Sequence, residues 1–358
     1  MNYKFLIYIS YSYAVPIGNP LEKEIKKQGF TIKWFSDLDD GKKALSNKNN
    51  VIKTIKDLID YQPDIVLTAT DSVPDFISGL KVQVFHGFNA QKRPEVKNGF
   101  SHFRIRGFFD LYCTQGPTTT KGFLQQQKKH PHFEVIETGW SKVDPLFPLE
   151  KNKKANKKPS ILIASTFTER LSLAYRDDVF DKIKELSLGN NFIFKMVLHP
   201  KIPKEIKEKW NRLDNDNFKF YDTTNLIPLF KESDILFADT TSAIQEYLLQ
   251  IKPVVTFNHT FNHDYLINTT NVDKIEEAFF KALKYPNELT ENIIKFVNTL
   301  HPYFDGKSSE RIINASIFQL TRDKSYLKNK PLNLIRKLKM RKRLGHFTLK
   351  SYNKPYTK

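Results

Sequence analysis

Short apolar runs alternate with stretches of helical period along nearly the whole chain, and this constrains the fold more than any other feature. Strands are expected at 4–10, 31–35, 64–68, 82–85, 111–114 and 134–137, with helices over 21–28 and 51–59 between the first of them. A second series has strands at 160–165, 192–198, 218–221, 235–238 and 254–257, helices in the gaps, and a last helix over 308–320. Such alternation predicts parallel βαβ units. Between the two series the run EKNKKANKKP, residues 150–159, has no apolar period and is expected to be a linker or exposed loop. A chain of 358 residues suits two α/β domains better than one. The boundaries expected are a first domain over 1–148, a linker over 149–159, a second domain over 160–320 and a basic tail over 321–358.

The net charge of +18 calls for an anionic partner. The single cysteine, Cys113, excludes a disulfide framework, fits a reducing compartment and sits in an apolar run where it packs as a small hydrophobe. The apolar N-terminal stretch is shorter than the roughly 20 residues a membrane span needs, and no basic region leads to a cleavage site. A cytoplasmic protein is therefore expected. Asp37 and Asp39 lie in a polar stretch that suits a solvated turn, and His259 and His263 lack a third ligand at metal-site spacing, so no metal is expected. P-loop, dinucleotide-fingerprint and nucleophile-elbow patterns are all missing.

Chemistry concentrates at the ends of the predicted strands, where open α/β sheets bind their ligands. His86-Gly87 follows the strand at 82–85, and a histidine on a sharp turn there is suited to take a proton near neutral pH. His199-Pro200-Lys201 repeats the arrangement in the second half, with a His and a Lys suited to phosphate oxygens. Each has a plain alternative as a strand-end turn. Asp239-Thr240-Thr241-Ser242 lies between a strand and a helix expected to start near Thr241, where successive hydroxyls beside free backbone N–H groups make an anion site; ordinary capping would need only one of them. Asp305-Gly306-Lys307-Ser308-Ser309-Glu310-Arg311 opens the last helix. Arg311 suits bidentate phosphate binding, whereas Asp305 and Ser308 fit pure capping equally well.

Taken in order, these segments resemble the CDP-glycerol glycerophosphotransferase family, the polymerases and primases of teichoic-acid-like phosphopolymers. His86-Gly87 is similar to the family's first His-Gly motif, and Asp110-Leu111-Tyr112 with Gly116-Pro117 to the following "DLY…GP" stretch. The segment from Gly139 to Asp144 resembles "G-x-P-K/R-x-D", with Ser141 in place of the usual Pro. His199-Pro200 resembles the second His motif, residues 234–242 resemble "SDILI-D-Y-S-S" with Thr240-Thr241-Ser242 in place of Tyr-Ser-Ser, and residues 305–311 resemble "DG-x-A-S-x-R". The likeness spans roughly residues 82–317. It departs in the segment after His86-Gly87, FNAQKRPEVKNG, where the Gram-positive polymerases have "T-x-x-K-x-L-G".

The resemblance implies a GT-B-like α/β fold, with two Rossmann-like, doubly wound domains facing a central cleft. The first domain would serve the acceptor and the second the nucleotide donor. It implies transfer of glycerol phosphate, or a similar polyol phosphate, from a CDP-activated donor to a hydroxyl of a cell-envelope glycan or lipid-linked acceptor. His86 and His199 would be catalytic, His86 as the base on the acceptor hydroxyl. Thr240, Thr241, Ser242, Lys201, Ser308, Ser309, Arg311 and Gly139 would hold the donor. Neither a metal nor a cofactor beyond the CDP-activated substrate is expected, and the chain's length leaves single addition open beside polymerisation. In the tail, Leu334, Ile335, Leu338 and Met340 interleave with Lys and Arg, as in a surface anchor for an anionic inner membrane face. Two other readings stand beside this one: a GT-B glycosyltransferase using a nucleotide sugar in cell-surface polysaccharide synthesis, and a basic binding protein without catalysis. No nucleic-acid partner is expected, because no helix-turn-helix or aromatic RNA-binding signature accompanies the charge.

Overall fold

The computed structural model describes residues 2–88, 102–149 and 158–346. Most of the expected linker and the last part of the tail lie outside the described residues. Contacts divide the chain into two compact units. One comprises Met1–Gly87, Glu95–Pro145 and His301–Lys358; the other is built on Leu146–Leu300.

The first unit holds β1 (Lys4–Ile9), β2 (Thr31–Ser36), β3 (Ile65–Thr68), β4 (Leu80–Gln83), β5 (Leu111–Thr114) and β6 (Glu134–Glu137). They form one sheet of order β2-β1-β3-β4-β5-β6 in which every pairing is parallel. The strands β3, β4 and β5 are buried at every position, as a sheet covered on both faces requires. Its helices are α1 (Val15–Lys27), α2 (Asp39–Ala44), α3 (Ile55–Tyr61) and α4 (Pro117–Lys129). Helix α1 starts six residues before the expected 21–28. Pro16 occupies the first turn, where its missing N–H costs nothing, and α1 accommodates Pro20 within it. The acidic stretch expected as a turn at Asp37 and Asp39 instead leads into α2.

The second unit holds β7 (Ser160–Ser165), β8 (Ile193–Leu198), β9 (Phe218–Tyr221), β10 (Ile235–Ala238), β11 (Val254–Phe257) and β12 (Ile267–Thr269), with helices α5 (Asp177–Leu188), α6 (Lys204–Asn211), α7 (Ile227–Glu232), α8 (Ala243–Leu248), α9 (Ile275–Leu283) and α10 (Asn287–Leu300). The order is β12-β11-β10-β7-β8-β9, again all parallel. Starting from β7, this is the Rossmann order, with its switch point between β7 and β10. The strand β12 was not expected, since a three-residue edge strand with half-buried side chains has almost no apolar signature.

The chain then leaves the second unit. Helix α11 (Ser308–Thr321) buries Ile312, Ile313 and Ala315 and packs against α1 and strands β3, β4 and β5. The expected domain over 160–320 is thus corrected: its last twenty residues belong to the first unit, because the apolar face of α11 covers the first sheet.

The tail is not the free amphipathic segment expected from its composition. Helix α12 (Leu334–Arg343) turns Arg341 inward onto Asp75 at 2.7 Å, with side-chain exposures of 2% and 16%. Arg343 pairs with Asp37, and Lys330 with Asp110 at 2.7 Å. Leu332, Leu334, Ile335 and Leu338 stay exposed. Removing one member of a buried ion pair strands the other charge, at a cost of about 3–5 kcal/mol. Asp75→Ala is therefore expected to lower the denaturation midpoint markedly, and an unchanged midpoint in urea would show that α12 contributes nothing to the fold. Among the described residues, no helix is long and apolar enough to cross a membrane.

Candidate active site

In the first unit His86 stands just beyond the carboxyl end of β4, which ends two residues earlier than expected. The chain leaves the strand through Phe85 at φ +60°, a left-handed conformation that an aromatic residue adopts only under strain. The indole N–H of buried Trp140 donates to the Phe85 carbonyl at 3.1 Å and braces this turn. The result is an exposed imidazole beside the Tyr13 ring, with centroids 5.9 Å apart. Its Nδ1 lies 3.3 Å from the carbonyl oxygen of Ala69, just past β3. A carbonyl can only accept, so in a neutral ring Nδ1 carries the proton and Nε2 presents a lone pair. That is the tautomer of a general base.

In the second unit the loops after β7, β8 and β10 form the corresponding edge. Asp239 is fully buried and its carboxylate accepts from the backbone N–H groups of Thr166 at 2.9 Å and Leu173 at 3.0 Å, and from the Ser165 hydroxyl. It thereby ties the loop after β7 to the loop after β10 at the switch point. His199 is half-buried and stacks on Phe167 with centroids 4.6 Å apart, and Lys201 Nζ lies 5.2 Å from the same ring. The backbone N–H of Lys201 donates to His199 Nδ1 at 3.1 Å. In a neutral ring this leaves the proton on Nε2, so His199 offers a donor where His86 offers a lone pair. Of the three hydroxyls, Thr240 is buried and bonded to Thr260, Oγ1 to Oγ1 at 3.0 Å. Its hydroxyl, expected at the donor, is thus engaged within the fold. Thr241 and Ser242 are half-buried ahead of α8, which begins at Ala243 rather than near Thr241. Phe167 was missed, although an aromatic residue directly after a predicted strand is a signal that can be read.

The remaining expected donor ligands lie elsewhere, in the first unit. Asp144 accepts from Ser308 N–H at 2.8 Å, Ser309 N–H at 2.7 Å and the Ser309 hydroxyl at 2.6 Å. Its carboxylate occupies the N-terminus of α11, the position an incoming phosphate would need. Ser308 and Ser309 are buried. Arg311 binds Asp305 through both terminal nitrogens, at 2.8 and 3.1 Å, donates from Nε to the Thr138 carbonyl at 2.8 Å, and lies over the Tyr303 ring. Gly139 adopts φ +80°, and a Cβ there would sit 2.4 Å from Ser308 Oγ and 3.1 Å from His301 Nε2. Ser308, Ser309, Arg311 and Gly139, expected as donor ligands, are thus bonded to or packed against the protein's own groups. They join residues 138–144 to 301–311 in a lock within the first unit.

That lock also predicts a pH response. Burial holds His301 and His102 each down at about 4, from 6.5. Unfolded, both histidines protonate near 6.5 while the folded protein keeps them neutral. Their contribution to stability is thus complete above about pH 6.5 and is lost as pH falls toward 4. Urea midpoints are expected to drop across this window, and less steeply in His301→Gln. An equal drop in that variant would exclude His301 as a source.

Two parallel, doubly wound sheets with their polar loops at the carboxyl ends of the strands define an α/β protein of GT-B-like class. The chain belongs to the CDP-Glycerol:Poly(glycerophosphate) glycerophosphotransferase family, which matches residues 82–319. It is 26% identical over 276 residues to a teichoic acid poly(ribitol-phosphate) polymerase of Bacillus spizizenii, covering 66% of this chain and 43% of that protein. Against the teichoic acid ribitol-phosphate polymerase TarL of Staphylococcus aureus the identity is 24% over 281 residues, covering 65% and 46%. The chain thus spans less than half the length of these relatives. Among solved structures, the wall teichoic acid polymerase TagF superposes with a TM-score of 0.63 at 15% identity, covering 89% of this chain and 90% of that one. The S. aureus MnaA–UDP structure gives 0.61 at 15% identity, covering 92% and 99%. At such identities the likeness is one of fold.

Proposed function

We propose that the protein transfers a polyol phosphate, glycerol phosphate or a close analogue, from a CDP-activated donor to a hydroxyl of a cell-envelope glycan or lipid-linked acceptor. The observation that carries this reading is the opposite tautomers of the two strand-end histidines, one a base and one a donor, in a chain of this family. An acceptor hydroxyl attacks the β-phosphorus, the new P–O bond forms as the pyrophosphate P–O bond breaks, and CMP leaves. The hydroxyl proton passes to His86 Nε2. His199 Nε2–H, the Lys201 ammonium and the hydroxyls of Thr241 and Ser242 stabilise the charge that builds on the departing phosphate. No further cofactor takes part. The exposed Leu332, Ile335 and Leu338, flanked by Arg336, Lys339 and Lys342, rest on the anionic cytoplasmic face of the membrane, where a lipid-linked acceptor is found.

The test is thermal stabilisation of the purified protein by CMP, CDP, UMP, UDP, GDP and CDP-glycerol. Selective stabilisation by CMP and CDP-glycerol is expected. Selective stabilisation by UDP or GDP would turn the assignment to a glycosyltransferase, and no stabilisation by any nucleotide would overturn it.

A further inference from the structure

Beside His86, which lines it, the first unit has a cavity of about 110 Å³ that opens to the surface. Nucleotide-sized ligands occupy sites of about 300 Å³ or more, so this space takes only a small fragment. Its lining has two kinds of surface. Phe109 and Tyr112 contribute aromatic walls, while Asp71, Gln83, His102 and Arg106 contribute polar groups. Gln83 is the informative one. It projects from β4, is 3% exposed and donates its amide N–H to the Thr70 carbonyl at 3.1 Å. Its Oε1 is buried and has no hydrogen-bond partner. A buried amide oxygen left unpaired costs about 1–3 kcal/mol, a cost that a ligand donor facing it would remove. Asp71 stands at the same cavity, joined to Arg106 at 3.0 Å. The pair sets an acceptor and a donor side by side.

We propose that this cavity binds the terminal vicinal diol of the acceptor, with Gln83 Oε1 and Asp71 receiving its hydroxyl protons and Arg106 donating to its oxygens. Adjacent hydroxyls each donate and accept once, which matches a carboxylate, an amide oxygen and a guanidinium on one wall. The aromatic walls meet the C–H faces of a polyol or sugar carbon chain. Asp71 and Gln83 are therefore specificity-determining residues: they select the diol as it binds, and the reacting hydroxyl then exchanges its acceptor on this wall for His86 Nε2. This rests on the polyol-phosphate transfer proposed above.

The experiment is saturation-transfer NMR of the full chain with two separate probes, sn-glycerol 3-phosphate for a polyol-phosphate chain end and a methyl glycoside for a sugar end. It is run on the native protein, Asp71→Asn, Asp71→Glu and Gln83→Leu. At least one probe is expected to bind the native protein, and Asp71→Asn and Gln83→Leu to weaken it about tenfold, with partial recovery in Asp71→Glu. Which probe binds identifies the acceptor end. Binding by neither probe, or binding unaffected by Asp71→Asn and Gln83→Leu, would overturn the proposal. Thermal stabilisation by CMP is read on the same samples. Unchanged far-UV circular dichroism and urea midpoints show the variants folded, and absence of CMP stabilisation in the native protein marks failure of the donor assignment instead.

Discussion

His86→Ala is expected to reduce transfer from CDP-glycerol by about 10²–10⁴-fold, the usual contribution of a positioned general base, while CMP binding stays near the native value. The expectation follows from how the side chain is held. Its Nδ1 faces a carbonyl that can only accept, so the ring meets a substrate with its basic nitrogen. Its backbone is aimed by the strained Phe85, whose carbonyl Trp140 braces. Strain of this kind persists where the surrounding structure over-determines it. Single-turnover rates with CDP-glycerol, set beside CMP-induced thermal shifts, separate the outcomes. Loss of CMP stabilisation in His86→Ala would place the residue on the donor and sink its role as base. His199, whose Nδ1 is already occupied by the Lys201 N–H, should behave in the opposite sense, with His199→Ala weakening CMP binding.

The second large effect is on stability. Asp144→Ala should destabilise the protein by about 3 kcal/mol or more, since charge-assisted hydrogen bonds each contribute about 1.5–3 kcal/mol and orphaned buried donors add their desolvation cost. The carboxylate takes two backbone N–H groups and one hydroxyl at the start of α11. Without it those buried groups lose this acceptor. Helix α11 covers strands β3, β4 and β5, so the loss should lower the cooperative midpoint of the first sheet. Urea denaturation followed by far-UV circular dichroism measures it. A midpoint equal to that of the native protein would mean that the Asp144 cap contributes nothing.

These two residues show unequal legibility. His86 was found from sequence because a His-Gly pair directly after an apolar run is a local signal, and strand ends are where α/β sheets place chemistry. Asp144 was visible only as part of a motif. Its meaning depends on Ser308 and Ser309, more than 160 positions away, and no local pattern encodes that pairing. The contacts of Arg311 are hidden for the same reason. An arginine in the first turn of a helix looks the same in sequence whether it awaits a phosphate or is closed by Asp305 and the Thr138 carbonyl. The three hydroxyls after β10 divided likewise: Thr240 turned inward to Thr260, while Thr241 and Ser242 stayed half-buried at the edge. The tail's basic, apolar composition was plain, yet Asp75 and Asp37 draw Arg341 and Arg343 into the first unit.

Periodicity and strand-end chemistry were enough to establish two parallel α/β series, most of the strand positions and the family likeness, because these depend on neighbours a few residues apart. Tertiary structure alone decided which unit the last helices join, which of the expected ligand residues bond the protein's own carboxylates, and which nitrogen of each histidine meets a backbone partner. Those depend on hydrogen-bond partners that only folding brings within 3 Å or so of one another.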